Sequence, residues 1–317
     1  MNKEKELEAF YSVFGKDYTH KVIPHEKPDF LIMEDNKVHL GVEITEIYSH
    51  ETDAKLTNMD GYSLGIINGT KKIHKNDKKN IKVDNVTIND SKGNNKGTIT
   101  AIIQETQNFQ DRINILEIAI AKKEKKIIKY LESCENIDLI INDSSNLFYH
   151  ETFEEFYKPY SILHNKENLV SSSFREIYLV TSTPDKNVYI PLKGNVFLSD
   201  CFAYEMLLKN GKKIKSSPIA VFEMLLASLY LSGYTKLTIS SKDGELGIHF
   251  GPWEMHYSPS GKCIRDRTLL FNNVKTERIS DLFNDFSKNS IDRAKSIVKK
   301  RSKMFSFMDF SLPTRKA

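Results

Sequence analysis

The sequence predicts an α/β chain of the α+β kind, in which one mixed β-sheet flanked by helices is followed by a C-terminal α+β module. Three observations carry that prediction. Residues 38–45 read Val-His-Leu-Gly-Val-Glu-Ile-Thr, an alternation of apolar and other residues that marks a half-buried strand. Residues 107–134 repeat apolar side chains at steps of three and four, as a helix does, and lead into the apolar strand 137–141. Residues 218–230 form an apolar helix behind the cap pair Ser217-Pro218, and a hairpin follows through Lys242-Asp243-Gly244.

Taken in order, Leu7, Phe10, Tyr11 and Phe14 fall on one side of a helix over 3–14, with Gly15 as its stop. Residues 29–33 and 38–45 pair as a hairpin around Glu34-Asp35-Asn36-Lys37. Val38, Leu40, Val42 and Ile44 then share one face, and His39, Gly41, Glu43 and Thr45 the other. Residues from about 57 to 105 are rich in Gly, Asn and Lys and read as an insertion, with a second hairpin pairing 81–88 with 98–103. Beyond the helix 107–134 and the strand 137–141, a helix is expected over 151–157 and a strand over 176–182. A boundary near Ser199 divides the chain into 1–198 and 199–317, the second part ending in helices over 277–286 and 290–303.

Composition narrows the function classes. At 317 residues the chain makes one large or two modest domains, and 39% hydrophobic residues with 18 Phe and 14 Tyr exclude bulk disorder. The longest apolar stretch, 218–230, is too short for a bilayer and carries Glu223, and the N-terminus lacks a signal-peptide apolar region. No membrane association and a cytoplasmic location are expected. Cys134, Cys201 and Cys263 have no CxxC spacing and read as buried thiols. The net charge of +4 is unevenly spread: 71–96 holds eight Lys against three Asp, and 288–303 holds seven basic residues against Asp292. Lys71, Lys72, Lys75, Lys78 and Lys79 are therefore the candidates for contact with a phosphate backbone. No HExxH, GxSxG or P-loop pattern occurs.

The informative unit is Pro28-Asp29, thirteen residues, then Glu43-Ile44-Thr45. Two carboxylates on adjacent strands of one hairpin converge on a hard cation, and the Ile44 carbonyl adds a third oxygen, a set suited to Mg²⁺ with Mn²⁺ as substitute. With the helix before it and the helix and strand after it, this unit resembles the PD-(D/E)xK nuclease superfamily. One position departs from that pattern, because Thr45 stands where the motif has lysine. In the stripe Ile113, Leu116, Ile120, Ile127, Tyr130, Cys134 the missing member is position 123, so Lys123 either takes a core-facing slot and needs an anionic partner, or snorkels out to the solvated face of Lys122, Lys125 and Lys126. Glu43 is the candidate partner.

The resemblance implies a restriction-endonuclease-like sheet and a Mg²⁺-dependent endonuclease hydrolysing phosphodiester bonds, in DNA before RNA, with a role in bacterial restriction or antiphage defence. It implies Asp29, Glu43 and the Ile44 carbonyl as metal ligands and Lys123 as the catalytic cation; Glu6 reads from its own context as a surface charge, and the resemblance offers it as a further ligand through water. A second reading is a nuclease fold that has lost activity and serves as a nucleic-acid-binding or assembly subunit. A third gives the apolar helix 218–230 a second chain to dock against, either another copy or a partner subunit.

Overall fold

The computed structural model describes residues 3–16, 20–104, 107–148, 166–182, 187–210, 217–268 and 275–302. The expected helix over 151–157 lies outside them. The chain is a mixed α+β fold built on a six-stranded sheet. Helix α1 (Lys3–Phe14) leads into β1 (Lys21–Pro24), β2 (Phe30–Glu34) and β3 (Lys37–Ile47), an antiparallel run. After α2 (Glu51–Asn58), α3 (Tyr62–Ile67) and the separate hairpin β4 (Ile81–Asn89) and β5 (Asn95–Gln104), the chain returns through α4 (Phe109–Glu124) and α5 (Ile127–Leu131). Strand β6 (Ile137–Asp143) joins β3 in parallel; α6 (Lys166–Ser171) precedes β7 (Glu176–Ser182), parallel to β6, and β8 (Asn187–Pro191) closes the sheet antiparallel.

Each face of this sheet has its own core. Beneath α1, Phe10, Val13 and Phe14 meet Phe30, Ile32, Leu40, Val42 and Ile44. On the opposite face Ile113, Leu116, Ile120, Ile127 and Tyr130 meet Leu139, Ile141 and Leu179. The strand alternation delivers Leu40, Val42 and Ile44 together as expected, but Val38 goes to the other side, against the Ile113 core. A bulge causes this: Ile32 pairs with Leu40 and Met33 with Val38, so His39 has no opposite residue and the alternation slips by one.

The helix expected over 107–134 is two helices. A turn at Lys125 and Lys126, closed by Lys126 N–H to the Lys123 carbonyl at 2.9 Å, separates them. A stripe repeating every 3.5 residues drifts about 20° per heptad around a straight helix, and the break resets it so that both halves face the sheet.

The C-terminal part comprises α7 (Leu192–Asn210), α8 (Pro218–Leu231), the sheet β9 (Thr238–Lys242), β10 (Glu245–Phe250), β11 (Trp253–Ser258), β12 (Gly261–Asp266) and β13 (Glu277–Arg278), then α9 (Ile279–Leu282), a 3₁₀ turn (Phe283–Asp285) and α10 (Lys288–Arg301). The helix read over 277–286 is thus a two-residue strand and two short helical turns. A division at 198/199 falls inside α7, which runs unbroken through it and contributes Leu192 to the first core and Phe197, Leu198, Cys201 and Tyr204 to the second. The apolar helix α8 finds its cover within the chain: α7 and α10 pack along it, and Met224 through Leu229 are buried. Its one acid, Glu223, accepts from Ser287 N–H at 2.5 Å and Ser290 Oγ–H at 2.9 Å at the start of α10. Cys134 and Cys201 are buried, whereas Cys263 on strand β12, at the end of the sheet order, is exposed. Among the described residues no helix is long and apolar enough to cross a membrane.

One buried carboxylate ties the two sheets together. Glu176 accepts from Lys193 N–H and Gly194 N–H, both at 2.9 Å, in the first turn of α7, and from the Trp253 indole at 2.7 Å. A helix N-terminus favours negative charge, and here the acid also anchors β11. Gly194 is required by contact: a Cβ there would lie 2.2 Å from Trp253 Nε1. Gly→Ala in a helix ordinarily gains about 1 kcal/mol. Gly194→Ala should instead lose about 2 kcal/mol, because the added methyl overpacks the joint. Urea unfolding checks it, and a variant as stable as the parent would show that the indole does not constrain α7.

Candidate active site

The site forms where β2 and β3 meet the second helical layer. Asp29 lies immediately before β2, and its Oδ2 accepts the Ile44 N–H at 2.7 Å. Strand pairing stops at Phe30 opposite Val42, so the carboxylate satisfies the next main-chain donor that β2 leaves unmatched. Glu43 points to the other face of β3 from Val42 and Ile44, under α4 and α5, and is 5% exposed. Gly41, two residues before it, allows that approach: a Cβ there would sit 2.5 Å from Pro28 Cγ, 2.6 Å from Cys134 Sγ and 2.8 Å from Ile137 Cδ1.

Lys123, from the last turn of α4, brings its ammonium to 2.5 Å from Glu43 Oε1 and 3.3 Å from the Ile44 carbonyl oxygen. The Tyr130 hydroxyl on α5 donates to the same Oε1 at 2.9 Å. Glu43 Oε2 is buried with no hydrogen-bond partner. Both donors therefore converge on one oxygen and leave the other open. Burial, then the Glu43 charge, raises the Tyr130 pKa above its ordinary value, so the phenol stays protonated and remains a donor.

Burial and the Glu43 carboxylate push the Asp29 carboxyl up to about 6, partly offset by the Ile44 N–H and Lys123. A carboxylate held close to a second one in a partly dry site, as Asp29 is, favours a cation or a proton. Glu6, expected at the surface as a metal candidate, is buried at 8% exposure and pairs with Lys3 at 2.7 Å. Lys3 in turn lies 3.8 Å from Asp29, so α1 contributes an acid and a base to the rim of the site. The hydrogen bond to Glu6 holds the Lys3 pKa above its usual value.

Asp29, Glu43, the Ile44 carbonyl and Lys123 are thus brought together, with Glu6 beside them through Lys3. The five lysines Lys71, Lys72, Lys75, Lys78 and Lys79 are not: all are exposed on the segment before β4, and none shares a hydrogen bond or ion pair with Asp29, Glu43 or Lys123. That segment is pinned by Asp77, which is buried and accepts from Thr52 Oγ at 2.8 Å, Lys55 Nζ at 3.1 Å and Tyr62 Oη at 2.9 Å. Its acid points inward and its lysines outward, so the exposed surface is more basic than the residue count suggests. Tyr130 is a member of the site that its sequence context conceals, because it reads as one more apolar-stripe residue. The available signal was its hydroxyl, which in a core-facing position needs a partner.

Among the described residues no group of three or more His, Cys, Asp or Glu side chains is placed to hold a metal ion. The candidate donor set is smaller in side chains: two carboxylates and one main-chain carbonyl. Its oxygens are those a hard divalent cation prefers, and the unpartnered Glu43 Oε2 provides an open acceptor. No family model matches the chain, and neither curated proteins nor solved structures give a match.

The raised Asp29 pKa fixes a sign. In the unfolded chain Asp29 ionises near 3.8, whereas in the fold it keeps its proton to about 6. Between those values the folded state binds more protons, so stability contributed by this group falls as pH rises from 4 to 6. Asp29→Asn, which still offers an oxygen to Ile44 N–H, should match the parent at pH 3.5 and exceed it in stability at pH 7.5. Urea midpoints at the two pH values measure this, and a constant difference would show that Asp29 ionises normally.

Proposed function

We propose that the protein is a metal-dependent nuclease of the PD-(D/E)xK kind in which Lys123 on α4 replaces the lysine absent at Thr45. The observation that carries this reading is the contact of Lys123 Nζ with both Glu43 Oε1 and the Ile44 carbonyl, across sequence separations of 80 and 79. A half-buried lysine placed beside these two oxygens stands in for the cation that the motif has at position 45. Asp29, Glu43 and the Ile44 carbonyl would hold Mg²⁺ or Mn²⁺. When bound, such an ion supplies a lowered water pKa and a Lewis acid for the phosphoryl oxygen.

The chain's own groups do the rest. Asp29 and Glu43 orient their oxygens from a main-chain hydrogen bond and from Tyr130 respectively. Lys123 stabilises the charge that develops on the reacting phosphate, as a preorganised cation in a partly water-excluded site. The Lys71, Lys72, Lys75, Lys78 and Lys79 face supplies sequence-independent attraction to a phosphate backbone. DNA is the first substrate to test, RNA the second, and restriction or antiphage defence is the setting the reading suggests. A non-cleaving nucleic-acid-binding or assembly subunit is the second reading, favoured by the lack of a third acidic or imidazole side chain grouped with Asp29 and Glu43 among the described residues.

Cleavage of duplex DNA, single-stranded DNA and RNA with Mg²⁺, against an EDTA control, separates the two. The parent should cut, Asp29→Asn and Glu43→Gln should not, and Lys123→Ala should lose about 10²- to 10³-fold in kcat, the usual loss for one preorganised charge-stabilising group. Binding without cleavage by the parent selects the second reading. Separately, replacing Lys71, Lys72, Lys75, Lys78 and Lys79 by Gln should flatten the dependence of log K on log salt by about 0.9 for each phosphate that is no longer neutralised. Filter binding at low and moderate salt reads the slope, and an unchanged slope removes this face from the interface.

A further inference from the structure

Resting on the metal-site reading above, we propose that Lys123 is the resident counter-ion of this site, and that a divalent cation binds by displacing it. The ammonium touches Glu43 Oε1 and the Ile44 carbonyl oxygen, two of the oxygens assigned to the metal. An oxygen-ligated Mg²⁺ lies about 2.1 Å from each ligand. An ammonium 2.5 Å from one of those oxygens and 3.3 Å from the other takes the space between them, and two cations on one carboxylate oxygen repel strongly in a half-dry site.

Tyr130 makes the exchange workable. Its hydroxyl is neutral, donates to Oε1 and is held by α5 rather than α4, so Glu43 keeps one fixed partner while the charged one leaves. Lys123 also has room to move. Its side chain is 17% exposed against 7% for Glu43, and it stands in the final turn of α4, next to the break at Lys125 and Lys126. Displaced from Glu43, the same ammonium is free for the reacting phosphate. The metal-free protein is thereby kept from holding an unbalanced carboxylate, and the catalytic cation is released only when the metal has arrived.

The test is direct binding of Mn²⁺ to the full chain by isothermal titration calorimetry, with Glu43→Gln as the site control. Lys123→Met and Lys123→Gln should bind Mn²⁺ at least tenfold more tightly than the parent, a difference of about 1.4 kcal/mol. Thermal unfolding gives the second readout: without metal both variants should melt below the parent, and saturating Mn²⁺ should raise their Tm more than it raises the parent's. Lys123→Gln keeps a hydrogen-bond donor and covers the case in which Lys123→Met fails to fold without metal. Glu43-dependent binding that is equal or weaker in the Lys123 variants overturns the displacement while leaving the metal-site reading intact. Absence of any Glu43-dependent Mn²⁺ binding, in the parent and in both variants, removes the metal site and the displacement with it.

Discussion

A carboxylate taken out of water needs a positive charge or strong donors beside it, and Glu43 sets that requirement for the first sheet. Its position under α4 and α5 is tolerable only because Lys123 and Tyr130 converge on it from two separate helices. Each of those helices must then stand at its own angle, which the turn at Lys125 and Lys126 permits. Gly41 must be bare so that Pro28 and Cys134 can approach the strand, and that approach brings Asp29 to the Ile44 main chain. Removing the Lys123 charge would leave a buried carboxylate with one neutral donor, the kind of uncompensated ion that destabilises folds most.

Much of this was legible in the residues themselves. The hairpin that carries Asp29 and Glu43 follows from its alternation. The slot at position 123 follows from a lysine standing in an apolar stripe. What the residues did not show is equally physical. The bulge that sends Val38 to the other face depends on one extra residue, His39, within strand β3, which the alternation does not reveal. The break between α4 and α5 has no Gly or Pro to announce it, since Lys-Glu-Lys-Lys is a good helix-forming run. Glu6 looked like a surface charge because its partner, Lys3, lies three residues back on the same helix, a spacing common on solvated faces. Tyr130 was masked by its own apolar ring.

The joint between the two sheets was hidden for a different reason. Asp138, the pair Arg175-Glu176, Lys193 and Trp253 come from four separate stretches of the chain, and each alone is an ordinary residue. Together they form a buried polar knot. Arg175 donates to both Asp138 oxygens, at 2.9 and 2.6 Å, and Lys193 donates to the Ser172 and Phe174 carbonyls. Burial raises the Glu176 pKa and lowers that of Lys193, because loss of water disfavours both charged forms by more than their mutual attraction restores. A continuous helix crossing such a knot gives the C-terminal sheet a fixed seat rather than a linker, and α7 runs through position 199 without a break.

The segment between β3 and α4 closes on itself. Its small core of Tyr62, Ile66 and Ile81 is its own, and at its base Gln104 Nε2 donates to Asp53 Oδ1 at 3.1 Å. For the rest of the chain this long excursion therefore behaves as a short bridge, and the entropy of bringing Lys123 back to Glu43 is set by the bridge rather than by the full contour. Lengthening, trimming or recolouring the excursion with different charges would leave the distance between that lysine and that carboxylate untouched. The fold thus separates what can be varied, an outward basic arm, from what cannot, the return of a lysine to the neighbourhood of a glutamate far from it in sequence.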